Sequence, residues 1–259
     1  MTPPRALRIV LVTWWMQLKM MHRSAFDGVM QLVWPMFFAT TALLIYRVAG
    51  NPDSLVYAAL GASVMTIWTA ISSSASGILR RERGFGTLEL LVASPTPFSL
   101  TIMSIVLAVS TVGVYAIVAT LLWARLVFGV NVDPAQPALF ALAVAVTVLS
   151  FAVLGFILSV AVVRYRTAWA LAGALEFPVW LLCGFLVPAA LLPGWMRTLS
   201  WLLPPTWGMR AIRATMSGQP AWPEIASCAG SAAVYCLVGV GLTGTVLRSA
   251  RRHGTLSLS

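Results

Sequence analysis

The chain has 259 residues, 59% of them hydrophobic and only 9% charged, and its formal net charge is +10 at neutral pH. So little polar surface cannot cover a soluble globule of this size, and composition alone makes the chain an integral membrane protein. The basic excess lies in short clusters between apolar stretches, the pattern of topology signals, and this argues against nucleic acid as a partner.

In chain order, residues 5–23 read as an amphipathic helix lying in the membrane interface. Leu7, Val10, Leu11, Trp14, Trp15, Leu18 and Met21 share one side, and Arg5, Arg8, Lys19 and Arg23 gather opposite. A cleaved signal peptide is disfavoured, because Gln17 and Lys19 break the apolar run and no small-residue cleavage site follows. Apolar runs long enough to span a bilayer fall near 27–48, 55–79, 98–123, 137–163, 168–187 and 225–247. Pro35 is expected to kink the first. Asn51, Pro52 and Asp53 turn the chain after it, and Asn131, Asp133, Pro134 and Pro137 turn it between the third and fourth.

Between the second and third spans, Arg80–Pro97 is the longest polar interruption, with Arg80, Arg81, Glu82, Arg83 and Glu89 in close succession. Gly84 and Gly86 relax the backbone, Thr87 is an N-cap candidate, and Glu89 in the first turn complements the helix dipole. A short helix from Leu88 to about Ser94 is predicted, with Leu88, Leu91 and Val92 on one apolar face and Pro95 and Pro97 as its stop. The run Glu82-Arg83-Gly84-Phe85-Gly86-Thr87-Leu88-Glu89-Leu90-Leu91 resembles the E-R-x-x-G-T-x-E-x-L signature in the first cytoplasmic loop of ABC type-2 exporter permeases. In that family the loop forms the coupling helix that docks on the ATPase. The resemblance thus implies an ATPase-coupling role for Arg81, Glu82, Arg83, Gly86, Thr87, Leu88, Glu89, Leu91 and Val92. An ordinary polar loop whose arginines set topology is the alternative.

Orientation follows from Arg5, Arg8, Lys19 and Arg23, then Arg80, Arg81 and Arg83, then Arg164 and Arg166, and finally Arg248, Arg251 and Arg252. Twelve of the 17 basic residues fall on one side of the predicted spans, and that side is the cytoplasm. Both termini are then cytoplasmic. Glu176 is the one carboxylate placed inside a span, ten residues past Arg166 and thus about 15 Å deep on a helix rising 1.5 Å per residue. There it should face protein or water, with desolvation favouring its neutral form. Pro178 is expected to loosen the helix at the same level. Two readings stand for the pair: a polar point on the transport path or subunit interface, or an acid bonded to a serine or threonine for packing.

Pro188–Pro223 is apolar but interrupted by prolines, so it is expected to dip or lie at the outer face as short re-entrant helices, with Trp195, Trp201, Trp207 and Trp222 in the interfacial belt and Arg197, Arg210 and Arg213 reaching water. Its run Pro204-Pro205-Thr206-Trp207-Gly208-Met209-Arg210-Ala211-Ile212-Arg213 resembles the P-x-T-[YW]-x-x-x-A-[IL]-R stretch of the same family, where paired extracellular helices cap the path. By that resemblance Pro205, Trp207, Arg210 and Arg213 form an extracellular gate, with a packing role as the alternative. In the last span Gly239, Gly241 and Gly244 suit close helix approach, within the subunit or between copies. The tail after Leu247 is expected to be disordered.

The only lysine, Lys19, precedes Met20, so no G-x-x-x-x-G-K-[ST] phosphate-binding loop exists, and the chain is not expected to hydrolyse ATP. Cys183, Cys228 and Cys236 lie in apolar segments as small hydrophobes, and His22 and His253 are isolated, so no metal, catalytic or cofactor site is expected. The resemblance covers the whole of 1–259 as one transmembrane permease domain. It implies the membrane subunit of an ATP-driven exporter in a bacterial plasma membrane, paired with a second copy or a sister permease and served by two copies of a cytoplasmic ATPase that holds ATP and Mg. Drug efflux and antibiotic resistance are activities of that family, and a small amphipathic compound, drug or lipid-linked molecule is the expected cargo. The rivals are a proton-coupled secondary transporter or channel using Glu176, and a non-transporting membrane scaffold.

Overall fold

The computed structural model describes residues 3–21, 25–48, 52–84, 97–164, 170, 173–188 and 191–253. Among the described residues there are nine helices and no strand. They are α1 (Pro3–Met21), α2 (Ala25–Val48), α3 (Pro52–Gly84), α4 (Phe98–Phe128), α5 (Pro137–Arg164), α6 (Glu176–Leu182), α7 (Gly194–Leu202), α8 (Pro204–Met216) and α9 (Trp222–His253).

Among the described residues, four helices have the length and apolar composition to cross a membrane, over Leu55–Ser73 in α3, Phe98–Phe128 in α4, Pro137–Ala161 in α5 and Trp222–Thr245 in α9. The stretch 27–48 lies within α2, whose apolar part is Val33–Val48, and α2 runs through Pro35 without ending. Residues 168–187 are described only in part, and the helix there stops at Leu182. The stop is a glycine C-cap: Gly184 takes φ 72°, the Gly184 N–H donates to Leu181 O at 3.1 Å and the Phe185 N–H to Trp180 O at 3.0 Å.

Several boundaries extend past the predicted ones, each for a reason of helix propensity. The cluster from Arg80 to Arg83 is the helical continuation of α3 rather than the opening of a loop, because arginine and glutamate are good helix formers and the first breaker is Gly84. α4 continues through Arg125 to Phe128, where Gly129 at φ 65° ends it. The segment after Leu247, expected to be disordered, is helical to His253; cations in the last turns suit the negative end of the helix dipole.

α3 sits at the centre, against α2, α4 and α5, while α5 also holds α8 and α9. Leu60, Val64, Ile67, Trp68 and Ile71 of α3 join Ile102 and Val109 of α4 and Phe151 and Phe156 of α5 in one buried cluster. A second cluster, with Leu43, Ala58, Ala59, Ala62 and Ala124, packs α2, α3 and α4 through small residues that let backbones approach. The closest approach is at Gly61, where an added Cβ would collide with the Phe185 carbonyl oxygen. Buried hydroxyls bond back one turn within their own helices, as in Thr66 to Ala62 O at 3.0 Å, Ser110 to Val106 O at 2.8 Å and Thr147 to Ala143 O at 2.6 Å.

α1 packs along α4. Its expected apolar side divides: Val10, Trp14 and Leu18 turn toward the bundle, whereas Leu7, Leu11 and Trp15 stay exposed beside Arg8 and Lys19. Trp14 donates its indole N–H to Thr111 Oγ1 of α4 at 3.1 Å.

Candidate functional site

The end of α2, the start of α3, the α4–α5 connection, the turn after α6 and the end of α8 gather at one end of the bundle, the end predicted to face outside. Arg213 on α8 organises it. Its Nη2 donates to Gly184 O at 2.7 Å and lies 3.5 Å from Phe185 O, and its guanidinium carbon sits 3.4 Å from the centroid of the Tyr57 ring. The Tyr57 hydroxyl donates to the same Gly184 oxygen at 2.7 Å, and the Tyr46 hydroxyl donates to Leu186 O. The two tyrosine rings lie 6.2 Å apart. One cation and two phenols therefore satisfy the carbonyls that the glycine cap leaves at the end of α6, tying α2, α3, α6 and α8 together. Burial draws the Arg213 guanidinium down to about 10, opposed by Tyr57 and Tyr46, so it remains charged at neutral pH. This differs from the expectation that Arg213 reaches water.

The rest of the predicted gate does not converge on Arg213. Pro205 is buried in the first turn of α8, where a missing N–H leaves no bond unmade. Trp207 donates to Trp201 O at 2.9 Å and carries Arg210 over its ring at 5.2 Å, so these two form a separate corner between α7 and α8. α8 itself is embedded rather than laid on a surface. Pro204, Thr206, Gly208, Met209, Ala211, Ile212 and Thr215 are buried, and a Cβ on Gly208 would strike Thr147 of α5.

Nearer the middle of the bundle, Glu176 opens α6, and Thr69 of α3 donates to its Oε1 at 2.5 Å. Gly173 and Ala174 are helical, and Leu175, between them and α6, keeps αR dihedrals (φ −78°, ψ −11°) but interrupts the helical bonding. Pro178 stands three residues past this break, and its missing N–H leaves the Ala174 carbonyl without its i+4 donor at the level of Glu176. The same short helix carries Phe177 and Trp180, whose rings lie 5.1 Å apart. Phe38 of α2 meets Trp180 edge-on at 5.6 Å, and Trp34 stacks on Phe38 at 5.8 Å.

At the opposite end of the bundle, Arg81, Glu82 and Arg83 lie on the last turn of α3. Gly86, Thr87, Leu88, Glu89, Leu91 and Val92, and with them the predicted helix from Leu88 to Ser94, fall outside the described residues.

Sequence reasoning passed over Tyr46, Tyr57 and Thr69. The tyrosines carried a usable signal, since two of only five in the chain flank the predicted outer turn at the level of an interfacial belt. Thr69 carried none, as one of several hydroxyl side chains between Ser63 and Ser74, a type of residue that in a helix usually bonds its own backbone.

No curated protein matches the chain. The family model described as ABC-2 type transporter matches residues 8–217, from the first turns of α1 to the cap of α8. With that match over most of its length, and with the embedded apolar helices it contains, the chain belongs to the ABC-2 type transporter family.

Proposed function

We propose that the chain is the permease subunit of an ATP-driven exporter in a bacterial plasma membrane, crossing it six times with both termini in the cytoplasm. Two copies of a cytoplasmic ATPase, which holds the ATP and Mg, power it; a second permease copy or a sister permease completes the path. This chain hydrolyses no nucleotide itself. Its cargo is a small amphipathic compound, drug or lipid-linked molecule. The observation that carries the reading is the family match over residues 8–217. It is supported by the sequence run that holds Glu82, Arg83, Gly86, Thr87, Glu89 and Leu91 and resembles the coupling signature of that family's exporters.

In this reading Glu82, Arg83 and Glu89 make charge-assisted bonds across the ATPase interface while Leu88, Leu91 and Val92 enter an apolar groove. Pro205, Trp207, Arg210 and Arg213 close the outer side, and Glu176 and Pro178 lie on the path or at the subunit interface. The proton-coupled alternative finds less support, because Glu176 meets a threonine hydroxyl and, among the described residues, no second titratable group that would continue a relay. Co-expression with the ATPase tests the proposal. The wild-type pair is expected to co-purify and to show substrate-stimulated hydrolysis, and a Glu89→Lys, Leu91→Asp variant to lose both. Intact assembly and stimulation in that variant would remove the coupling role.

A further inference from the structure

The surroundings of Glu176 define a ligand class. Among the described residues no basic side chain pairs with this carboxylate, and the Thr69 hydroxyl occupies only one of its oxygens. An aromatic belt runs beside it from α6 to α2: Phe177, adjacent in sequence, then Trp180 one turn on, Phe38 and Trp34, each ring 5.1 to 5.8 Å from the next. Glu176 and Trp180 stand at i and i+4, and Phe177 and Trp180 at i and i+3, so Trp180 neighbours both the acid and the Phe177 ring on the helix surface. The belt is open at both ends, with Phe177 69% and Trp34 51% exposed, and closed in the middle, where Trp180 is 8% exposed. The Trp180 indole N–H has no partner among the described residues. Ring faces carry negative quadrupole, and the acid that terminates the belt supplies a negative charge once a cation pairs with it. Lipid tails and an apolar helix of a second copy satisfy the rings but offer the acid neither a polar partner nor a counter-charge. A bulky organic cation satisfies both.

We propose that Glu176 and the Trp34–Phe38–Trp180–Phe177 belt form a binding site for lipophilic organic cations of the quaternary ammonium or phosphonium type. The carboxylate neutralises the charge, and the rings contribute cation–π and apolar contact. The site rests on the export reading only for the statement that its occupant is cargo; binding itself requires this chain alone.

The test uses the full chain in nanodiscs of zwitterionic lipid, without ATP or ATPase, and two nearly isosteric probes of opposite charge, tetraphenylphosphonium and tetraphenylborate. Saturable binding of the cation and none of the anion is expected. Glu176→Gln, which keeps the bond to Thr69, should weaken the cation about tenfold or more, the scale of one charge-assisted contact. Glu176→Asp should retain most of the affinity, and Phe177→Leu, at an exposed position that tolerates change, should weaken it about threefold. Equal binding of both probes, no saturable cation binding, or unchanged cation affinity in Glu176→Gln overturns the proposal. If Glu176→Gln does not fold, unchanged affinity in Phe177→Leu overturns it. An intact site in a chain that never assembles with an ATPase refutes the export reading alone, and an assembling, exporting chain with no cation site refutes this one alone.

Discussion

Arg213 illustrates how one side chain can replace several missing hydrogen bonds. A helix that ends on a left-handed glycine leaves carbonyls without intrahelical donors, and in an apolar setting those carbonyls need partners from elsewhere. The flat guanidinium fits this need twice, donating in its plane to the Gly184 carbonyl and presenting its face to Tyr57. A lysine offers a point charge without the fork or the face. Arg213→Lys is therefore expected to lower stability by about 1–3 kcal/mol, and Tyr57→Phe, which removes one bond to the same oxygen, by about 1 kcal/mol. Reversible unfolding in mixed micelles measures both. Wild-type stability in Arg213→Lys would show that charge alone holds this end of the bundle.

At the scale of elements, the contact between α3 and the turn after α6 is set by the absence of a side chain. The Phe185 carbonyl lies in the space that a Cβ at Gly61 would fill, so Gly61→Ala must push backbone against backbone. The expected cost is about 1–3 kcal/mol, with loosening of the Tyr57 and Arg213 bonds as the turn moves away. Gly241 on α9 meets nothing within 4 Å of an added Cβ, and there alanine should be neutral or stabilise the helix by roughly 0.5–1 kcal/mol. Comparing the two variants in the same unfolding measurement separates close packing from helix propensity; equal effects would mean that the Gly61 approach is not tight. The long helices follow the same logic of local preference. α3 and α9 run for 33 and 32 residues, about 50 Å each, well beyond an apolar core of about 30 Å, because their charged ends are still good helix formers.

At the scale of the molecule, the antiparallel run of α2 to α5 places the start of α3, at Asp53, and the Asp133 connection at one end, with the ends of α3, α5 and α9 at the other. The basic clusters at those helix ends predict which side is inside. In a chain with Cys183, Cys228 and Cys236 replaced, a single cysteine at position 133 should react with an impermeant reagent from outside intact cells, and one at position 8 only after permeabilisation. Labelling of position 8 from outside would invert the topology and remove the coupling segment from the ATPase side. Leu237, Val238 and Val240 of α9 stay exposed on the flank of the bundle, as expected of a helix whose outer face meets lipid.

The sequence by itself determined the membrane class, the positions of the long apolar helices, the amphipathic first helix and the family, because each of these is written in local composition, periodicity or a contiguous motif. Helix ends were less legible, since arginines that interrupt an apolar run do not interrupt a helix. Only the tertiary structure decided what Glu176, Trp14 and Arg213 touch. Thr69 lies 107 residues from Glu176, Thr111 lies 97 from Trp14, and the Gly184 carbonyl that Arg213 meets is exposed by a glycine cap on another element. The aromatic belt was hidden for the same reason: both α2 and α6 are rich in rings, but only the fold brings the two sets together. Such contacts depend on how helices of similar composition choose their neighbours, and that choice is made by small residues and single hydrogen bonds that leave little trace in the order of the chain.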